Sequence, residues 1–184
     1  VANMYRMFKY ASNFNQDLSN WNVSNVTNME GMFDSATNFN GDISAWDVSN
    51  VTTFSNMFVN NHEFNSDISS WDVSSASTLQ AMFYHAYQFN ADISSWNVGS
   101  VTNMTRMFHN ATSFNQDISN WDVSSILNGN FSGMFFNTPI TYDLSKVTDI
   151  SDQWHIKNTD NWDAQDASLV FFFTDNSGGS ITLK

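Results

Sequence analysis

The chain has 184 residues and a formal net charge of −12, because eighteen acidic side chains stand against six lysines and arginines. This balance excludes a basic face for nucleic-acid phosphates and argues against docking on anionic lipid. The absence of cysteine excludes disulfides and cysteine-based metal or catalytic sites, and no apolar run approaches the roughly 20 residues of a membrane span.

A phrase of 25 residues recurs five times over residues 1–125. The aromatic positions that keep this step are Phe8, Phe33, Phe58, Phe83 and Phe108, and Trp21, Trp46, Trp71, Trp96 and Trp121. A fixed period of this length predicts a solenoid, in which each unit buries its apolar face against its neighbours. The first unit begins part-way through the phrase, so we expect a longer protein in which any targeting segment lies upstream. Its uncapped N-terminal layer should stack on another repeat or a second molecule.

The first half of each unit has the spacing of a short amphipathic helix. In the second unit Met29, Met32, Phe33 and Ala36 follow the i, i+3, i+4, i+7 pattern. Thr27 supplies an N-cap before them. A helix of about two turns is too short to persist alone, so we expect it to be held by packing against its neighbours.

The second half of each unit alternates as a very short strand does. Trp46-Asp47-Val48 would point inward, outward and inward. The tryptophan is in phase with Ile43 and Val48, which favours a place in the core over a sugar-stacking platform. Stacked units of this kind predict an α/β solenoid, with short parallel strands on one side and short helices on the other.

Two polar columns recur with the same period. The asparagines are predicted to form an amide ladder that supports the loops, and the aspartates would repel one another unless each has a partner. One interpretation is that each aspartate accepts N–H groups of its own turn, and the other is a row of bound Ca²⁺. The columns are Asn15, Asn40, Asn65, Asn90 and Asn115, and Asp17, Asp42, Asp67, Asp92 and Asp117.

The repeat degenerates after residue 125. Phe131, Met134 and Phe135 match the preceding unit with two residues inserted. Beyond them, residues 168–174 and 180–183 have strand composition around a polar, glycine-containing turn. We therefore expect residues 126–184 to form a degenerate repeat and an irregular C-terminal cap with a β-hairpin.

A second set of acidic residues lies in this C-terminal region. Asp160, Asp163 and Asp166 are weak Ca²⁺ candidates, although their spacing is not that of an EF-hand loop. The alternative is that they are solvated or cap a short helix. No other metal or cofactor is indicated.

No catalytic constellation is evident. The histidines show no metal-ligand spacing and are interpreted as exposed polar residues; they are His62, His85, His109 and His155. The repeated serines have no adjacent base, whereas a nucleophile needs one activated copy. The chain is therefore expected not to be an enzyme.

The repeat resembles a known family. The phrase Phe-Asn-x-Asp-Ile-Ser-x-Trp-Asp-Val, which begins at Phe39, is similar to the repeat of about 25 residues in bacterial surface proteins and mycoplasma-type lipoproteins, which are grouped with the BspA-like leucine-rich-repeat proteins. The resemblance implies a secreted or surface-anchored protein of leucine-rich-repeat-like fold, often linked to adhesion. It implies no catalytic residues.

The expected function is therefore a non-enzymatic extracellular or cell-surface module that binds a protein or a glycan. Specificity should lie where the repeats differ, because shared positions are needed for stacking. A structural subunit that stacks end to end, or a Ca²⁺-dependent surface domain, are the alternatives. The candidate binding residues are Asn22, Asp47, Asp72, Asn97 and Asp122, together with Tyr84, His85 and Tyr87.

Overall fold

The computed structural model describes residues 2–118, 120–126 and 130–139, and in them consecutive repeats are stacked through their backbones. In the second unit the N–H groups of Met29, Gly31, Phe33 and Ser35 donate to carbonyls of the third, at 3.1, 2.9, 2.9 and 2.7 Å. Equivalent bonds recur between the other units. A single parallel β-bridge lies where this hydrogen-bonded segment of each unit begins. The bridges join, in order, Asn3, Asn28, Thr53, Thr78 and Asn103.

The predicted helices are wrong: the described residues contain no α-helix. Turns cover residues 30–35 in the second unit, and N–H groups that do not donate to the next unit bond three residues back, as from Met32 to the Met29 carbonyl at 3.1 Å. An α-helix needs each N–H to bond four residues back. Here alternate N–H groups are committed to the neighbouring unit, so the helical pattern cannot form.

Each unit has two residues in the left-handed conformation, with positive φ, and these residues allow its turns to form. They occupy the third place of a turn, where a type II turn requires positive φ. Half of these twelve residues are glycine or asparagine, the types that tolerate this conformation best. They are Arg6, Gly31, Asn56, Ala81, Arg106 and Gly133 at the first position, and Tyr10, Ser35, Asn60, His85, Asn110 and Asn137 at the second.

The predicted strands are also wrong. The Trp46 N–H donates to the Ile43 carbonyl at 3.2 Å, and the Val51 N–H donates to the Val48 carbonyl at 2.9 Å. These turns use backbone groups that a sheet ladder would need. The described residues therefore do not form an α/β solenoid of leucine-rich-repeat type, because they contain neither helices nor strands beyond isolated bridges.

The core is built from columns of rings that run through the stack. Phe33 lies 5.6 Å from Phe58, and Trp46 lies 6.3 Å from Trp71, between ring centroids that are nearly parallel. Four tryptophans are at most 3% exposed, which confirms that this column belongs to the core: Trp46, Trp71, Trp96 and Trp121. Each indole N–H donates to a carbonyl of the preceding unit, as from Trp71 to Ile43 at 3.1 Å.

A sixth layer follows with the two-residue offset that the sequence indicates. The N–H of Met104 donates to the Asn130 carbonyl at 2.8 Å, and that of Phe108 donates to the Met134 carbonyl at 3.0 Å. The other residues of the predicted cap, including its β-hairpin, lie outside the described residues.

The first layer differs from the others in exposure. Met7 is 43% exposed, whereas its equivalent Met32 is fully buried. Trp21 is 38% exposed, whereas Trp46 is 3% exposed. In the second unit the corresponding side chains are covered by the preceding unit.

Candidate interaction surface

Two exposed columns of Asx turns run along the stack. The Asp67 carboxylate accepts the Ser69 N–H at 2.9 Å and the Ser69 hydroxyl at 2.7 Å. Asp47 accepts the Ser49 N–H at 3.1 Å and its hydroxyl at 2.6 Å. The first column places N–H acceptors at Asp17, Asp42, Asp67 and Asp92, with Asp117 exposed in the same position. The second places them at Asn22, Asp47, Asp72, Asn97 and Asp122.

These hydrogen bonds change the acidity of the carboxylates. The backbone N–H and then the hydroxyl of Ser69 lower the pKa of Asp67, and the hydroxyl and then the N–H of Ser49 lower the pKa of Asp47. The charge of Asp72 acts in the opposite direction on Asp47 but is the smaller effect. The local donors therefore outweigh the repulsion along the column.

We expect acid to destabilise the stack through these turns. A carboxylate whose pKa is lower in the folded state contributes stability above its unfolded pKa of about 3.8, and this is lost as the pH falls through the folded value. Asn22 and Asn97 already hold the equivalent positions in two units. Changing Asp47, Asp72 and Asp122 together to asparagine should therefore keep the N–H acceptor and reduce the loss of stability at low pH. Urea unfolding from about pH 7 to about pH 2.5 measures it. If the free energy of unfolding of the triple variant falls as steeply in acid as that of the parent chain, the effect comes from other carboxylates.

The asparagine column forms a continuous hydrogen-bonded ladder. The Asn40 N–H donates to Asn15 Oδ1 at 2.9 Å, and the Asn65 N–H donates to Asn40 Oδ1 at 2.8 Å. The same bond joins Asn90 to Asn65 and Asn115 to Asn90. The bonds run from backbone to side chain rather than between amide groups, so each side chain supports the turn of the next unit.

A cluster of stacked aromatic and histidine side chains lies at the surface across the third to sixth layers. We call this set the aromatic–histidine patch: it consists of His62, Tyr84, His85, Tyr87, His109 and Phe136. Tyr84 stacks on His85 and His109 with ring centroids 4.1 and 4.9 Å apart. His62 stacks on Tyr87 at 4.6 Å, and His109 stacks on Phe136 at 4.5 Å.

Sequence reasoning found part of this patch and missed the rest. The sequence predicted a site at Tyr84, His85 and Tyr87, whereas His62 and His109 were interpreted only as exposed polar residues. The repeat held the missing signal, because His109 stands 25 residues after Tyr84 and His62 stands 25 residues before Tyr87. Equivalent positions of adjacent units are neighbours in a stack, so these side chains meet.

The surroundings of His85 favour its neutral form. Burial first, and then the charges of His109 and His62, lower its pKa. Asn110 Nδ2 lies 2.7 Å from His85 Nε2, while Asn110 Oδ1 accepts a hydrogen bond from Asn137 Nδ2 at 2.9 Å. This assignment of the amides makes Nε2 an acceptor, which requires the proton to be on Nδ1.

Within the described ranges, no three acidic or histidine side chains are arranged to hold a metal ion. The Ca²⁺ candidates Asp160, Asp163 and Asp166 lie outside those ranges. The same part of the chain contains no helix that is long and apolar enough to cross a membrane.

Comparison with known proteins gives a family but no assigned activity. No curated protein and no solved structure matches the chain significantly. One family model matches residues 1–86 and again residues 61–167, and so covers most of the chain. The chain belongs to the family described as "Mycoplasma protein of unknown function, DUF285".

Proposed function

We propose that this chain is a non-enzymatic interaction module of the cell surface or extracellular space, which binds a protein or a glycan. The observation that carries the proposal is the aromatic–histidine patch, because exposed aromatic side chains are enriched where proteins recognise ligands. Tyr87 is 37% exposed. Other units place Thr37 and Thr112 at that position, so stacking does not require the ring.

The finer relationship, to the BspA-like surface proteins, rests on the repeat phrase and supports the same proposal. Those proteins are linked to adhesion, which a rigid stack with a variable outer surface would serve. The location outside the cell is part of the proposal.

The test is a binding screen with the whole chain on a glycan array and against extracellular matrix proteins. The key variant combines Tyr84→Val, His85→Asn and Tyr87→Thr, which are residues that other units carry at these positions. We expect binding of the selected ligand to weaken about tenfold or more, because a few central aromatic side chains dominate most interfaces.

The matched control is Ser35→Asn, in the same column as His85 but outside the patch. It should bind as the parent chain does. A parallel Asp72→Asn variant tests the Asx column: loss of binding there, with the triple variant unchanged, would move the site to that column. An intact melting transition for each variant separates loss of the site from loss of the fold.

Self-association is the second candidate, because units of this repeat stack on one another through backbone hydrogen bonds and apolar side chains. A second copy could stack on the first layer as Met32 and Trp46 stack on the unit before them. Sedimentation velocity across a wide concentration range tests this, with Met7→Ser and Trp21→Ser together as the variant that should abolish association. A parent chain that stays monomeric at high concentration excludes it.

A further inference from the structure

The patch combines imidazoles with an arginine that has no acidic partner among the described residues. In that part of the chain the cations are Arg6, Lys9 and Arg106. Lys9 is paired with Asp34 at 2.7 Å, and Arg6 lies over the Tyr5 ring at 4.7 Å. Arg106 makes no ion pair there and is exposed.

Arg106 lies beside the patch. A Cβ on Gly133 would be 3.5 Å from Arg106 Cγ and 3.4 Å from His109 Nδ1. Both side chains therefore lie next to the same residue of the sixth layer. His109 Nδ1 lies 3.3 Å from the Gly133 carbonyl, which fixes the ring beside the arginine.

Over the third to sixth layers, the columns that form the patch contain no carboxylate; Asp34, in the second layer of the Tyr84 column, is paired with Lys9. They hold Val59, Tyr84, His109 and Phe136; then Asn60, His85, Asn110 and Asn137; then His62, Tyr87 and Thr112. Glu63 follows His62 and is exposed, and no acidic group contributes to the pKa of His85. On a chain of net charge −12, the side chains of these columns in the third to sixth layers can gain positive charge on acidification, and the nearest carboxylate in sequence is Glu63.

Protonation would strengthen that charge. An imidazole acquires its positive charge between about pH 8 and about pH 5. The His85 ring lies 6.1 Å from His109, which is beside Arg106, and 5.8 Å from Tyr87, on which His62 stacks. Burial, and then the charges of His109 and His62, lower the pKa of His85, and an anion bound beside these imidazoles would offset the repulsion between their charges. By linkage, a ligand that favours the protonated patch binds more tightly as the pH falls.

The neutral groups of the patch suit hydroxyls. The phenol groups of Tyr84 and Tyr87 and the amide of Asn60 can each donate and accept hydrogen bonds. An acidic polypeptide would bring a long negative chain across the acidic remainder of this protein. These features favour a glycan as the source of the anion.

We propose that the aromatic–histidine patch and Arg106 bind a carboxylate-bearing glycan, with affinity that rises on acidification. This inference rests on the proposed function and names the ligand class of the same site. Arg106 and the imidazole of His109 contact the carboxylate, and the tyrosines contact the sugar hydroxyls.

The test uses the whole chain and a galacturonic-acid oligosaccharide as the probe, in calorimetry at about pH 5 and at about pH 7.5. We expect binding about tenfold tighter at the lower pH, within the usual range of a coupling between two sites. The methyl-esterified oligosaccharide, which lacks the charge, should not bind at either pH. In NMR titrations the His85 pKa should rise when the probe is bound, which a merely structural imidazole would not show.

Arg106→Gln and His109→Gln should each weaken binding about fivefold or more. The matched control is Arg6→Gln, because Arg6 holds the same repeat position with the same left-handed backbone but lies in the first unit. Equal losses in Arg6→Gln and Arg106→Gln would show binding that depends only on net charge and would overturn the proposal. Absence of binding at both pH values would also overturn it.

Poly-glutamate at equal charge is the competing probe. Tighter binding of the polypeptide than of the oligosaccharide would assign the patch to an acidic protein and overturn the glycan assignment. The screen could instead find a protein or neutral glycan that binds the same patch without pH dependence. That result would contradict this inference but not the proposed function.

Discussion

Replacing Trp71 by alanine is expected to lower the free energy of unfolding by about 3–5 kcal/mol, the usual cost of truncating a buried large aromatic side chain. Trp71 is 3% exposed and lies between Trp46 and Trp96, with ring centroids 6.3 and 6.5 Å away. Truncation leaves a cavity in the column. It also leaves the Ile43 carbonyl without the indole N–H that lies 3.1 Å away.

The matched control is Trp21→Ala, at the same repeat position. Trp21 is 38% exposed, so a smaller cavity forms and the loss should be well below that of Trp71→Ala. Urea unfolding at neutral pH gives both values. Equal losses for the two variants would contradict the stacked column as the source of stability.

Replacing Asn61 by alanine is expected to stabilise the protein by about 1–3 kcal/mol, the range for removing a buried polar group that lacks a partner. Asn61 is fully buried, and both polar atoms of its side chain are without a hydrogen-bond partner among the described residues. The equivalent residues Ala36, Ala86 and Ala111 are equally buried. Alanine therefore fits the column in three other units.

The reverse substitution, Ala86→Asn, places an amide in the same column of the next unit and should destabilise the protein by a similar amount. Both variants are measured by thermal and urea unfolding. A loss of stability in Asn61→Ala would show that the amide is satisfied, by a buried water molecule for example, and would contradict this prediction.

The 25-residue period allowed the core to be read before the backbone was known. Residues that keep the step, such as Phe58 and Trp96, are buried, and the two-residue offset before Met134 appears in the hydrogen bonds of the sixth layer. Burial is readable because a stack turns each repeated position into a column, and a column facing the interior must hold apolar side chains in every unit.

The backbone conformation was not readable in the same way. Met29, Met32, Phe33 and Ala36 have a spacing that suits a helix and equally suits a row of turns with the same side chains inward. Gly31 and Asn56, at left-handed positions, were a signal for the second. Whether a helix or a row of turns forms depends on whether alternate N–H groups find acceptors in the next unit. A short helix has too little stability of its own to compete with those hydrogen bonds.

The candidate surface, too, was only partly predictable from the sequence. The sequence by itself determined which side chains form columns, and so it named Tyr84, His85 and Tyr87 as a departure from the repeat. The period also places His62 and His109 in these columns, against Tyr87 and Tyr84. Only the tertiary structure decided that the columns meet, with the His85 ring 5.8 Å from Tyr87 and 6.1 Å from His109, and that Arg106 lies beside the same layer. The physical reason is that adjacent columns come from different turns, and their lateral contacts follow from the folded path of the backbone rather than from the period.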